Sequence, residues 1–240
     1  MRELRTRRVE RREAIRWGLS NGLPIALGYL PVALTFGILG RQAGLTVGEV
    51  TGMSAWVYAG ASQFLAVKMI ASGLGSVQII LATLILNFRH FLMSTVLSRR
   101  IEGGKQGTAL LSYWVTDETF VVATVHARPE GLSAAGFFVM AITAYVAWVS
   151  GGFLGGVFAD LIPVRIVDGM GIGLYALFIA LLVPSARKHW QFALVAAATA
   201  LCAWGLSCLA TGLSEGWTLI VATLGVSAAG TLLPDVESEN

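Results

Sequence analysis

Apolar residues in this chain come in long continuous runs, interrupted at short intervals by glycine, proline or a brief polar cluster. Eight such runs can be marked, at roughly 17–39, 48–70, 76–97, 107–126, 135–157, 166–184, 190–210 and 216–233. Most have the length of about 20 residues that an α-helix needs to cross a bilayer core. Barrel strands would instead alternate apolar and polar over about ten residues. In lipid every backbone polar group must be paired within its own segment or barrel, so continuous runs predict helices. The expected fold is an all-α integral membrane protein, one polytopic helical bundle of about seven to eight segments, with broken or re-entrant segments among them.

Composition supports this reading. Of the 240 residues, 55% are hydrophobic and only 13% charged, against about 25% charged in a soluble domain. Mean hydropathy is +0.72. The net charge of +3 does not argue for nucleic acid, because the basic residues gather in the opening stretch "MRELRTRRVERREAIRW". That stretch, residues 1–16, reads as a basic tail that the positive-inside tendency keeps cytoplasmic. Residues 17–233 form the membrane domain and 234–240 a short acidic tail. No small-residue cleavage site closes the first apolar run, so no removable signal peptide is expected. Cys202 and Cys208 lack metal or redox spacing, and no motif calls for a cofactor or metal. Topology stays open between two counts. Eight full spans put Arg99, Arg100 and Lys105 outside, against the positive-inside rule. One re-entrant early segment returns them inside but inverts the later loops.

Four stretches depart from ordinary spans. "GLPIALGYLPVALTFGIL" carries Pro24 and Pro31 about two turns apart, which predicts a kink or freed carbonyls on one face. "VYAGASQF" sets the small residues Gly60, Ala61 and Ser62 before Gln63, a pattern that fits close packing or a broken helix with exposed backbone groups. "LILNFRHFLM" buries Asn87, Arg89 and His90. Arg89 then needs a carboxylate or carbonyl partner, unless the span ends near Leu92 and leaves it at the interface. "TDETF" places Asp117 and Glu118 side by side in mid-segment. They fit either a polar-lined helix or a helix start with Thr116 as N-cap and two acids in the first turn. On an unbroken helix Tyr113 would reach Asp117 and Trp114 would share a face with Glu118. "GGFLGG", with Gly151, Gly152, Gly155 and Gly156, reads as a packing face that invites a helix neighbour. "DGMGIG" at 168–173 follows no strand and is not a phosphate loop. His126 and His189 stand at segment ends.

In order and spacing these four stretches resemble the large subunit of bacterial branched-chain amino-acid exporters, the AzlC-type family, over roughly the first half of the chain. The resemblance implies a secondary carrier, since no ATP-binding motif is present. It would export valine, leucine, isoleucine and sometimes methionine across the cytoplasmic membrane, using the proton gradient. It also implies a small AzlD-type membrane subunit as partner, with a higher oligomer left open. The family-like positions are Pro24 and Pro31, Gly60 to Gln63, Asn87, Arg89 and His90, and Asp117 to Thr119. A zwitterionic substrate needs a group for its carboxylate, one for its ammonium, and an apolar slot. Amides near Gly60 or the Arg89 guanidinium suit the first. Asp117 or Glu118 suits the second, or carries a proton together with His90. Phe64 and Leu65 suit the slot. Two other readings remain: a non-transporting assembly subunit, and an intramembrane serine protease built on Gly60-Ala61-Ser62 with His90 or His126 as base.

Overall fold

The computed structural model describes residues 2–102, 105–126, 132–162, 189–209 and 215–233, with positions 179, 182, 183, 186 and 187. The run at 166–184 and the "DGMGIG" stretch within it therefore lie largely outside the described residues, as do the acidic tail and Arg128. The helices are α1 (Arg2–Gln42), α2 (Val47–Trp56), α3 (Gly60–Ala71), α4 (Ser76–Ser98), α5 (Lys105–Leu111), α6 (Asp117–His126), α7 (Ala134–Phe158), α8 (Trp190–Cys208) and α9 (Glu215–Gly230). Two short strands, β1 (Ile101–Glu102) and β2 (Leu132–Ser133), pair in parallel. Among the described residues, four stretches are long and apolar enough to cross a membrane: Arg12–Gln42, Ser76–Ser98, Ala134–Leu161 and Trp190–Cys208.

The basic tail is helical from Arg2 and continuous with α1, which runs for 41 residues through both Pro24 and Pro31. At 1.5 Å rise that is about 60 Å, roughly twice the hydrocarbon core. Each proline removes one intrahelical donor, so the carbonyls of Ser20 and Leu27 lose their usual partners. The Pro31 carbonyl accepts the Thr35 hydroxyl at 2.9 Å.

α1 packs along α7, and the two run the same way. Gly18 lies against Gly136 and Val139, Gly22 against Met140 and Thr143, Ala33 against Gly151, and Leu34 against Gly155. Small residues let the backbones approach until no side chain separates them. A Cβ at Gly151 would stand 2.6 Å from that of Ala33, and one at Gly155 would fall inside the Leu34 carbonyl. The four glycines of "GGFLGG" thus find their helix neighbours within the chain, in α1 and α2.

Parallel neighbours in a membrane must be separated by an odd number of crossings. Three segments lie between α1 and α7, so either all cross or two turn back. The contacts decide for two. α2 starts beside the C-terminal end of α7, where Val47 touches Gly156 and Thr46 caps the helix through reciprocal bonds with Glu49. It then descends until Ser54 meets Gly152 and the Ala55 carbonyl accepts the Tyr145 hydroxyl at 2.9 Å. α3 climbs again: Tyr58 packs on Tyr145, Gln63 on Trp148, and Phe64 on Phe36. α2 and α3 form a hairpin that enters and leaves on the side of the α1 C-terminus.

α4 then crosses to the other side, where Leu97 and Ile101 join Phe137 and Met140 in one core. From there the chain leaves and returns at the same level. Ile101 pairs with Leu132 and Glu102 with Ser133, and the Leu132 amide bonds the Arg100 carbonyl at 2.8 Å. α5, a 3-10 turn at Ser112–Trp114 and α6 form this second hairpin. Neither the eight-span count nor the single re-entrant segment holds, because both broken segments turn back from opposite sides.

Candidate functional site

The two hairpin tips meet near the middle of α1, around Tyr29. In the first tip the helix ends at Trp56 and restarts at Gly60. Tyr58 takes φ +43° there, a region costly for a bulky residue unless its surroundings fix it. The rings of Tyr145 at 4.9 Å supply part of that constraint. The C-terminal end of α2 is satisfied by two phenols, since Tyr113 and Tyr145 both donate to the Ala55 carbonyl. Gly60 is required by its neighbour: a Cβ would sit 2.8 Å from the Trp148 ring. The Ser62 hydroxyl donates to the Ala59 carbonyl at 2.9 Å, and Ser62 is fully buried. Among the described residues no histidine hydrogen-bonds it, so the serine-nucleophile arrangement is not assembled.

In the second tip Thr116 caps α6. Its hydroxyl accepts the Thr119 amide at 3.3 Å, and the Thr119 hydroxyl accepts the Thr116 amide at 2.8 Å. Asp117 and Glu118 fill the first turn, where the helix dipole favours negative charge. The break between Trp114 and Asp117 overturns both expectations drawn from an unbroken helix. Tyr113 reaches Ala55 rather than Asp117, and Trp114 packs on Phe138 and Tyr145. Glu118 instead accepts a short hydrogen bond from Tyr29, whose hydroxyl also lies 2.8 Å from Thr116 Oγ1.

Arg89 pairs with Asp117 at 3.0 Å, with side chains 32% and 25% exposed. α4 continues past Leu92 to Ser98, so Arg89 stands within the helix rather than at its end. Asn87 Oδ1, Arg89 Nε and His90 Nε2 are buried and find no hydrogen-bond partner among the described residues. Phe64 and Leu65, as neighbouring helical residues, point about 100° apart. Phe64 faces Phe36, while Leu65 joins Met69 and Ala82 between α3 and α4.

The sequence reading missed Tyr29, Tyr58, Tyr145 and Trp148. The Trp148 indole donates to Gln63 Oε1 at 3.0 Å and meets Tyr29 edge to face at 5.3 Å. Through these rings the two tips are physically joined. Among the described residues no group of acids, histidines or cysteines could hold a metal, and Cys202 and Cys208 are free thiols on α8.

The site lies in a region shared with other chains. An uncharacterized membrane protein of Archaeoglobus fulgidus is 30% identical over 189 residues, 78% of this chain and 83% of its own. The inner membrane protein YgaZ of Escherichia coli is 30% identical over 188 residues, 75% and 76% of the two chains. The branched-chain amino acid transport protein AzlC of Bacillus subtilis is 24% identical over 173 residues, 70% and 68% of the two. No solved structure matches significantly. The AzlC protein family matches residues 24–162, a stretch that holds both hairpins, α4, α7 and the C-terminal part of α1. The protein is a multi-pass membrane protein with a transport-related role, and it belongs to the AzlC family.

Proposed function

We propose that this chain is the large subunit of a secondary carrier that exports branched-chain amino acids across the cytoplasmic membrane, working with a small AzlD-type subunit. The observation that carries the reading is the meeting of two re-entrant hairpins from opposite sides, each with a helix end at its tip. Discontinuous helices of this kind supply unpaired backbone groups to a polar ligand at membrane depth. A mid-membrane carboxylate held by a phenol rather than a cation suits a group that gains and loses a proton, so Glu118 is the coupling candidate. The name of the Bacillus subtilis relative supports the substrate class. With the α1 N-terminus in the cytoplasm, Arg99 and Arg100 fall on the same side as the arginine-rich tail, in line with the positive-inside rule.

Cells lacking their own exporters, loaded with leucine or valine, test the proposal. Expression of the chain with its small subunit is expected to speed efflux. Glu118→Gln is expected to remove the dependence on a proton gradient while leaving exchange of internal for external leucine intact. Efflux unchanged by the parent protein sinks the carrier reading and favours an assembly role. Efflux that keeps its gradient dependence in Glu118→Gln sinks only the proton assignment.

A further inference from the structure

We infer that the Gln63 side-chain amide, together with the first turn of α3, is the pole that receives the substrate's carboxylate, and that Trp148 sets the direction of that amide. The inference rests on the transport reading above and assigns polarity within the site.

Gln63 is fully buried. Its Oε1 accepts two N–H donors, Ala59 at 3.1 Å and the Trp148 indole at 3.0 Å. A flipped amide would turn its own N–H groups toward those two donors, so the pair fixes which end is which. Nε2 is thereby left as a buried double donor with no partner among the described residues. It lies across the start of α3, a 12-residue helix whose first turn has no side-chain cap. Open amides, the positive end of a helix dipole and an unspent amide donor converge at one place, and all three favour an anion.

The only other carboxylate receiver among the candidates is Arg89, whose charge is already matched by Asp117 at 3.0 Å. The opposite tip carries the acids Asp117 and Glu118 in its first turn, so it repels a carboxylate rather than receiving one. Tyr58, in the first tip, packs on Tyr145, and among the described residues its buried hydroxyl has no hydrogen-bond partner. Trp148 touches both halves, through Gln63 and through Tyr29. It is a positioning residue, because it acts through Gln63 rather than on the substrate.

The experiment is equilibrium binding of leucine and of leucinamide to the full chain with its small subunit in lipid nanodiscs. Leucinamide keeps the ammonium and side chain but lacks the carboxylate. Gln63→Glu preserves an acceptor for Ala59 and Trp148 and replaces Nε2 by an anionic oxygen. Leucine affinity is expected to fall about 100-fold or more, while leucinamide affinity holds or rises. Trp148→Phe keeps a ring but lets the amide turn. Leucine affinity is expected to fall about fivefold, the size of one hydrogen bond, with leucinamide unchanged. Should Gln63→Glu fail to fold, Trp148→Phe decides alone. A leucine-to-leucinamide ratio that stays at the parent value overturns the assignment, including the case where both affinities drop together. Failure of the parent protein to bind leucine overturns the transport reading itself.

Discussion

Arg89 and Asp117 form an ion pair whose side chains are about a third and a quarter exposed, between two well-studied limits. Exposed pairs contribute about 0–1 kcal/mol, and breaking a buried one costs about 3–5 kcal/mol. Loss of one partner here should cost about 1–3 kcal/mol, with Arg89→Ala lowering expression and thermal stability. The exchange Arg89→Asp with Asp117→Arg should recover part of that stability, since the two groups sit on different elements at 3.0 Å. Equal melting temperatures for the single and exchanged variants would mean the pair is incidental. Asp117, Glu118 and Arg89 were legible in the sequence because charge inside an apolar run is conspicuous. Tyr29 and Trp148 were not, because an aromatic residue in a membrane helix looks the same whether its polar atom points at lipid headgroups or at Gln63.

At the scale of elements, the α1–α7 seam depends on the absence of side chains. Gly155→Ala should destabilise the protein by about 1–3 kcal/mol, because the added carbon meets the Leu34 carbonyl, which is backbone and cannot rotate away. Gly28→Ala lies on α1 with nothing within 4 Å and should be neutral or slightly stabilising. Thermal unfolding in detergent checks both, and equal losses would show that the seam is looser than drawn. "GGFLGG" announced a packing face, but composition could not name its neighbour. The breaks in 48–70 and 107–126 were likewise visible as small-residue and acid clusters. Their return to the starting side was not, since both runs are long enough to span. What turns them back is tertiary: the parallel pairing of β1 with β2 for one, and the climb of α3 past Trp148 to Phe36 for the other.

For the molecule as a whole, two opposed hairpins fix which loops share a side. In a variant without Cys202 and Cys208, Gln42→Cys and Ser72→Cys should react with a membrane-impermeant maleimide from one side. Ser98→Cys should react from the other. Labelling of positions 42 and 72 from opposite sides would mean that α2 and α3 cross. The partners that bury the tips also arrive late in the chain. Trp148 is 85 residues beyond Gln63, and Glu118 is 89 residues beyond Tyr29. A ribosome that has just released α3 has made neither α6 nor α7. At that moment the first tip, with its open amides and buried glutamine, has α1 beside it but lacks Tyr113, Tyr145 and Trp148. During synthesis it must therefore wait at the membrane surface, or within the insertion machinery, until α7 emerges. Assembly of the site is the last event in making the first 158 residues, and any slowing of synthesis before α7 lengthens the exposure of its polar core.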